Sequence, residues 1–176
     1  MPKDTPFEER LLAEIARAAR SERLDIVLVG NAAAALRGAP LTTRDVDFFV
    51  RDTTANRAKL ERLAARLGGL AITRPGAPLS DMVRLVGGPV EIDFVFALSS
   101  GARFESVRSR AEIVRIGAVP VRVAALADVI AAKRAAGRPK DLAALPVLEQ
   151  TARILDAMRA ERSSNHAPRP KRPSDA

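Results

Sequence analysis

Apolar positions along this chain recur with two periods, and the alternation between those periods orders its elements. Phe7, Leu11 and Ile15 repeat at helical spacing behind Thr5-Pro6-Phe7-Glu8. There Thr5 reads as an N-cap, Pro6 as the first helical residue and Glu8 as the capping-box partner. Asp25-Ile26-Val27-Leu28-Val29 predicts a short buried strand ending at Gly30-Asn31. Ala32 to Leu36 predicts a helix that stops at Gly38-Ala39-Pro40, and Arg44 to Val50 predicts a second strand. Thr53 or Thr54 caps a third helix, with Leu60, Leu63 and Leu67 on one face and Gly68-Gly69 at its end. Met82 to Val86 and Val90 to Leu98 form a hairpin across Gly87-Gly88-Pro89, and Ile113 to Ile116 pairs with Val119 to Val123 across Gly117-Ala118. From Ala124 the pattern turns helical to about Ala136, and again from Asp141 to about Arg159, with Pro146 placed to kink that last helix. The order is α+β with a mixed sheet, an N-terminal helix and two C-terminal helices. One domain is expected over residues 1–161, and the Ser-, Pro- and Arg-rich stretch 162–176 reads as a disordered basic tail.

Composition narrows the chemistry. The 176 residues include no cysteine and one histidine, His166, which lies in the tail. Imidazole-based zinc sites and Ser-His-Asp or Cys-His catalysis are thereby excluded. Any metal must sit on carboxylates, whose oxygens suit magnesium or manganese. A net charge of +8 favours anionic partners, although Arg162, Arg169, Lys171 and Arg172 place part of it in the tail. The only aromatics are six phenylalanines, mostly within apolar strands, so a dedicated single-strand nucleic-acid binder is disfavoured. No apolar run approaches the roughly 20 residues of a membrane span, and the N-terminus lacks a signal-peptide pattern, so the expected setting is cytoplasmic.

Two acids stand out at Asp45-Val46-Asp47. In a strand, residues two apart share a face, so both carboxylates point one way while Val46 points into the core. Solvated acids at a strand end would read the same way, and Arg44 could neutralise one of them. Asp93 weighs against that reading. Val90, Ile92, Phe94 and Phe96 alternate as a buried face, which sets Glu91, Asp93 and Val95 opposite it. If this strand lies beside Arg44–Val50, three carboxylates converge, as a two-metal phosphoryl- or nucleotidyl-transfer site requires. Glu91 is a rival for the third place, but Asp93 lies deeper in its strand. Gly30-Asn31, between strand and helix, is either a phosphate cradle or a plain turn with Asn31 as N-cap. Lys133 falls on the apolar stripe of Leu126, Val129 and Ile130, so it either snorkels past the helix end or reaches an anion. Asp141, after Pro139, reads chiefly as a helix N-cap.

Gly30-Asn31-Ala32, then Gly38, then Thr42/Thr43-Arg44-Asp45-Val46-Asp47 resembles the glycine turn, helix and paired-aspartate strand of polymerase-β-type nucleotidyltransferases. Within that superfamily the chain resembles the minimal bacterial branch containing AbiEii-like toxin nucleotidyltransferases, whose later lysine and charged segment match Lys133 to Leu142. The resemblance spans about Asp25 to Leu155. It departs at Asn31, where the family usually has Gly or Ser, and in lacking the long C-terminal region of the larger toxins. It implies an enzyme moving a nucleoside monophosphate from an NTP to an acceptor hydroxyl. By the same resemblance magnesium or manganese sits on Asp45, Asp47 and Asp93, phosphates lie over Gly30-Asn31, and Lys133 offsets their charge. Asp93 also completes the second metal position and helps deprotonate the acceptor hydroxyl. The acceptor stays open between a tRNA end, a protein hydroxyl and a small molecule, and a cognate antitoxin is an implied partner. The alternative is a catalytically inactive nucleotidyltransferase fold used as a binding or antitoxin-like protein.

Overall fold

A computed structural model of the chain describes residues 7–43, 45–68, 71–73, 82–86 and 90–165. In chain order these form α1 (Phe7–Ser21), β1 (Ile26–Val29), α2 (Gly30–Leu36), β2 (Asp45–Val50), α3 (Thr54–Arg66), β3 (Ala71–Thr73) and β4 (Met82–Val86). There follow β5 (Glu91–Val95), α4 (Phe104–Arg110), β6 (Glu112–Ile116), β7 (Val119–Val123), α5 (Leu126–Ala136) and α6 (Pro139–Asn165). The Thr5-Pro6 cap, the 87–89 turn, Arg44, His166 and the tail beyond Asn165 lie outside the described residues.

The seven strands of the described residues share one sheet in the order β3-β4-β5-β2-β1-β7-β6. It is mixed: β2 runs parallel to β5 and β1 parallel to β7, while β1–β2, β3–β4, β4–β5 and β6–β7 are antiparallel. The parallel β2–β5 pair requires a crossover, and α3 with β3 and β4 occupies it. Strand alternation then sorts β2 by face. Val46, Phe48 and Val50 are buried on one side, and Phe48 stacks on Phe94 of β5 with ring centroids 5.6 Å apart. Asp45, Asp47 and Phe49 take the other side, where Phe49 meets Phe104 of α4 edge to face at 5.4 Å. The acids therefore share a face whose far end is closed by aromatic packing.

Two helices begin earlier than their composition predicts. Val29 is the N-cap of α2, which starts at Gly30, so Asn31 lies inside the first turn and does not cap it. α6 starts at Pro139, since the fixed φ of proline suits a first helical position. Asp141 is consequently a first-turn residue and not the cap. At its other end α6 runs past Arg159 and Glu161 to Asn165, because no Gly or Pro interrupts the chain between Pro146 and Pro168. Thr53 caps α3 as expected, accepting from the Asn56 amide at 3.1 Å. Two short elements, β3 and α4, have no counterpart in the apolar periodicity. No helix among the described residues is long and apolar enough to cross a membrane.

Candidate active site

Four neighbouring strands place one residue each in a single row: Val29 on β1, Asp47 on β2, Asp93 on β5 and Arg84 on β4. Residues opposite one another in a ladder project to the same face, so this row builds the site directly from register. Asp45 stands opposite Glu91 in the adjacent row. The start of β2 is fixed by Thr43, whose hydroxyl oxygen accepts from the Asp45 amide at 3.2 Å and donates to the Asp45 carbonyl at 2.8 Å. The row opens into a cleft of about 530 Å³, with Asp45, Asp47 and Asp93 on one wall and Lys133, Arg138 and Lys140 on the other. The structure thus brings every residue of the expected site to one place.

Gly30 lies against Asp47. Its φ is +66°, and a Cβ there would press into Asp47 Oδ2 and stand 3.2 Å from Cγ. Only glycine allows the β1–α2 turn to come this close. Beside it, Asn31 Oδ1 is buried with no hydrogen-bond partner among the described residues. An orphaned acceptor costs about 1–3 kcal/mol, so it is a standing demand for a donor.

Asp47 is half-buried, and its carboxyl is pushed up to about 6, by burial first and then by the charges of Asp93 and Asp45. Lys133 and Lys140 pull the other way. Those two cations do not offset the burial and the repulsion. Asp45 and Asp47 share a face, offer only oxygen donors and carry unrelieved repulsion, which fits a hard divalent ion such as magnesium or manganese. Asp93 is different. It is 4% exposed, and both its oxygens accept from Arg84, Nε to Oδ1 at 2.7 Å and Nη2 to Oδ2 at 2.8 Å. Among the described residues, no three acidic or histidine side chains group as a ready metal cage. Glu91 is exposed and also pairs with Arg84, at 2.6 Å.

Lys133 points inward, as its stripe predicts, with its side chain 11% exposed. Its ammonium donates to Asp141 Oδ1 at 3.0 Å, and Arg138 donates to the other oxygen at 2.5 Å. Burial works against the Asp141 charge, but the hydrogen bonds from Arg138 and Lys133 outweigh it and hold the carboxyl below its ordinary value. Asp141 is therefore the counter-charge that positions Lys133. Arg134, one residue on, is exposed and pairs with Glu149 at 2.6 Å.

Lys133→Ala is expected to weaken NTP binding and also lower the melting temperature, because it strips one partner from a carboxylate that is 2% exposed. Arg134→Ala should cost less than about 1 kcal/mol, as exposed ion pairs do. Thermal melts of the two variants side by side, with and without NTP, check this; equal losses at both positions would remove the special role of Lys133.

Two groups of the cleft are absent from the sequence-based candidates. Arg84 is the one charged residue of Met-Val-Arg-Leu-Val in β4, yet a basic residue in a hairpin strand reads as a solvated edge. Asp128 of α5 lines the cleft at 8% exposure and pairs with Arg110 at 2.5 Å. An acid on the buried side of an apolar helix was the signal available for it.

No protein-family model matches the sequence, and no curated protein matches it. Among solved structures, the fold is similar to that of the antibiotic-resistance factor ANT(2'')-Ia in complex with adenylyl-2''-tobramycin. That match has a TM-score of 0.58 and 18% identity, covering 92% of this chain and 100% of that one. The solution structure of the same factor gives 0.57 and 17%, covering 90% and 96%. A protein assigned as a nucleotidyltransferase from Thermotoga maritima gives 0.55 and 16%, covering 94% and 96%. At these identities the likeness shows a shared α+β fold, the fold class expected from the sequence.

Proposed function

We propose that this chain is a divalent-metal-dependent nucleotidyltransferase that moves a nucleoside monophosphate from an NTP to an acceptor hydroxyl, with pyrophosphate leaving. The observation that carries this reading is the row of Asp47 and Asp93 beside Asp45, facing three cationic side chains across one cleft. Asp45 and Asp47 would hold magnesium or manganese, which supplies charge neutralisation for the phosphates and the leaving pyrophosphate. Lys133, fixed by Asp141, presents its ammonium toward the phosphates, and Lys140 adds a second positive charge. Gly30 lets the backbone of the β1–α2 turn approach the ligand without displacing Asp47. The Asn31 side chain, whose Oδ1 has no partner among the described residues, turns an amide hydrogen or its oxygen to the nucleotide. Catalysis here is positioning and electrostatics, as expected for phosphoryl-group chemistry.

The acceptor is proposed by class only. The adenylylated tobramycin in the ANT(2'')-Ia complex supports a small-molecule hydroxyl. A tRNA end or protein hydroxyl, and a toxin role with a cognate antitoxin, rest on the sequence motifs alone. A second reading, a nucleotide-binding protein without transfer, is favoured by one observation: Asp93, the expected base, is bound by Arg84.

The test is transfer from each of the four α-labelled NTPs, with magnesium, manganese or EDTA, to tRNA, to protein and to tobramycin, alongside calorimetry of NTP binding. Metal-dependent NTP binding with label transferred to one acceptor class supports the proposal. Metal-dependent binding with no transfer supports the second reading. NTP binding that is indifferent to metal, or absent, overturns both.

A further inference from the structure

Arg84 lies in the row with Asp93 by register and not by the chance meeting of two long side chains. Opposed residues of an antiparallel pair hold their side chains together along the whole strand. All three guanidinium nitrogens are used on acids: Nε and Nη2 on the two oxygens of Asp93, and Nη1 on Glu91. This is the fork geometry that arginine, and no other cation of the chain, offers a carboxylate. The pair lines the cleft beside Asp47, so its positive charge lies within the site itself. Two-metal transfer sites place a second divalent ion at the carboxylate group, to lower the charge there and hold the attacking oxygen. Here that carboxylate already has a cation on both oxygens.

We propose that Arg84 takes the place of a second metal ion: the chain binds one divalent cation, on Asp45 and Asp47, and the guanidinium serves Asp93 where a second ion would otherwise sit. This rests on the nucleotidyltransferase reading and specifies its metal count. Asp45, Asp47 and Asp93, with Glu91 sharing the guanidinium, then face one divalent ion and one fixed monovalent cation. Asp93 becomes a positioning residue that anchors Arg84. The Arg84 guanidinium, which lines the cleft, is positioned to stabilise charge developing on the acceptor oxygen or the α-phosphate. The acceptor proton goes to solvent or to the nucleotide's phosphates, since both Asp93 oxygens are already engaged by Arg84.

The experiment is manganese binding to the full-length chain with a non-hydrolysable α,β-methylene NTP analogue, followed by calorimetric stoichiometry and by electron paramagnetic resonance. Wild type is expected to take one ion per chain and give the spectrum of isolated manganese. Arg84→Gln, which keeps a hydrogen bond to Asp93 but removes the charge, is expected to take two, with the broadened spectrum of a spin-coupled pair. Its transfer rate should fall at least tenfold in low metal and partly recover in high metal. Arg84→Met, which removes the charge without adding a polar group, should likewise take two, and it serves if Arg84→Gln folds poorly. A spin-coupled pair in wild type overturns the inference and leaves the nucleotidyltransferase reading standing. One ion in wild type and in Arg84→Gln alike also overturns it, since something other than Arg84 then limits the count. No manganese in any variant overturns the nucleotidyltransferase reading, and the inference with it.

Discussion

Asp47→Asn is expected to abolish nucleotidyl transfer and, in EDTA at pH 8, to raise the melting temperature. The two effects share a cause. Asp47 is held charged beside Asp93 and Asp45 in a half-buried position, an arrangement that is unfavourable until a divalent cation arrives. Removing the charge removes the metal ligand and the repulsion together. Loss of one well-placed electrostatic group in a transfer site costs about a hundredfold to a thousandfold in rate. A metal ligand belongs at the upper end of that range.

The pH dependence follows from the direction of the shift. In the folded chain the Asp47 carboxyl titrates at about 6, against 3.8 ordinarily. Its contribution to stability is therefore fully present below pH 3.8 and is lost as pH rises through about 6. At one unit to roughly 1.4 kcal/mol, the charged form costs the fold up to about 3 kcal/mol at pH 8. For a chain of this size that corresponds to roughly 6–12 °C of melting temperature. Wild type and Asp47→Asn should melt together at pH 4, separate through pH 6, and differ most at pH 8. Added magnesium should close the gap, because an ion that binds only the folded wild type stabilises it by mass action. Melts at three pH values, with EDTA or magnesium, check all of this. A variant that melts below wild type at pH 8 in EDTA would make Asp47 a structural acid.

How far the site was legible in the sequence depends on which interactions are local. Asp45 and Asp47 were readable because strand alternation alone sets them on one face, and Asp93 because an acid in Val90–Phe96 interrupts an apolar strand. Their juxtaposition was conditional, since it hangs on the parallel register of β2 with β5 across some forty residues of intervening chain. Arg84 was invisible for the same reason. Its meaning comes from standing opposite Asp93, and composition assigns no partner to an arginine in a hairpin. Lys133 shows the boundary clearly: its inward direction is helical geometry, while its partner Asp141 reads as a cap in the sequence because a proline two residues before it fits equally well ahead of a helix or, as here, at its first position. The missing elements were too short for a period to show. α4 spans seven residues and β3 three, and both are held by what they pack on or pair with.

Gly30→Ala should be nearly as damaging to transfer as loss of Asp47, for a different reason. Two penalties combine at Gly30. Its φ of +66° lies in the left-handed region, which costs a residue with a Cβ about 1–2 kcal/mol. The Cβ would also press into Asp47 Oδ2, so the carboxylate must turn away from Asp45 or the β1–α2 turn must back off. Overpacking of this kind adds about 1–3 kcal/mol. Gly101 separates the two penalties, having a φ of +69° and nothing within 4 Å of an added Cβ. Gly101→Ala should pay the backbone strain alone, with metal binding and transfer retained. Combining Gly30→Ala with Asp47→Ala removes the clashing oxygen. The stability loss of the double variant, measured from Asp47→Ala, should then shrink toward that of Gly101→Ala, a coupling that a double-mutant cycle reads directly. Full additivity of Gly30→Ala and Asp47→Ala would mean that the glycine serves the turn only and does not make room for the carboxylate.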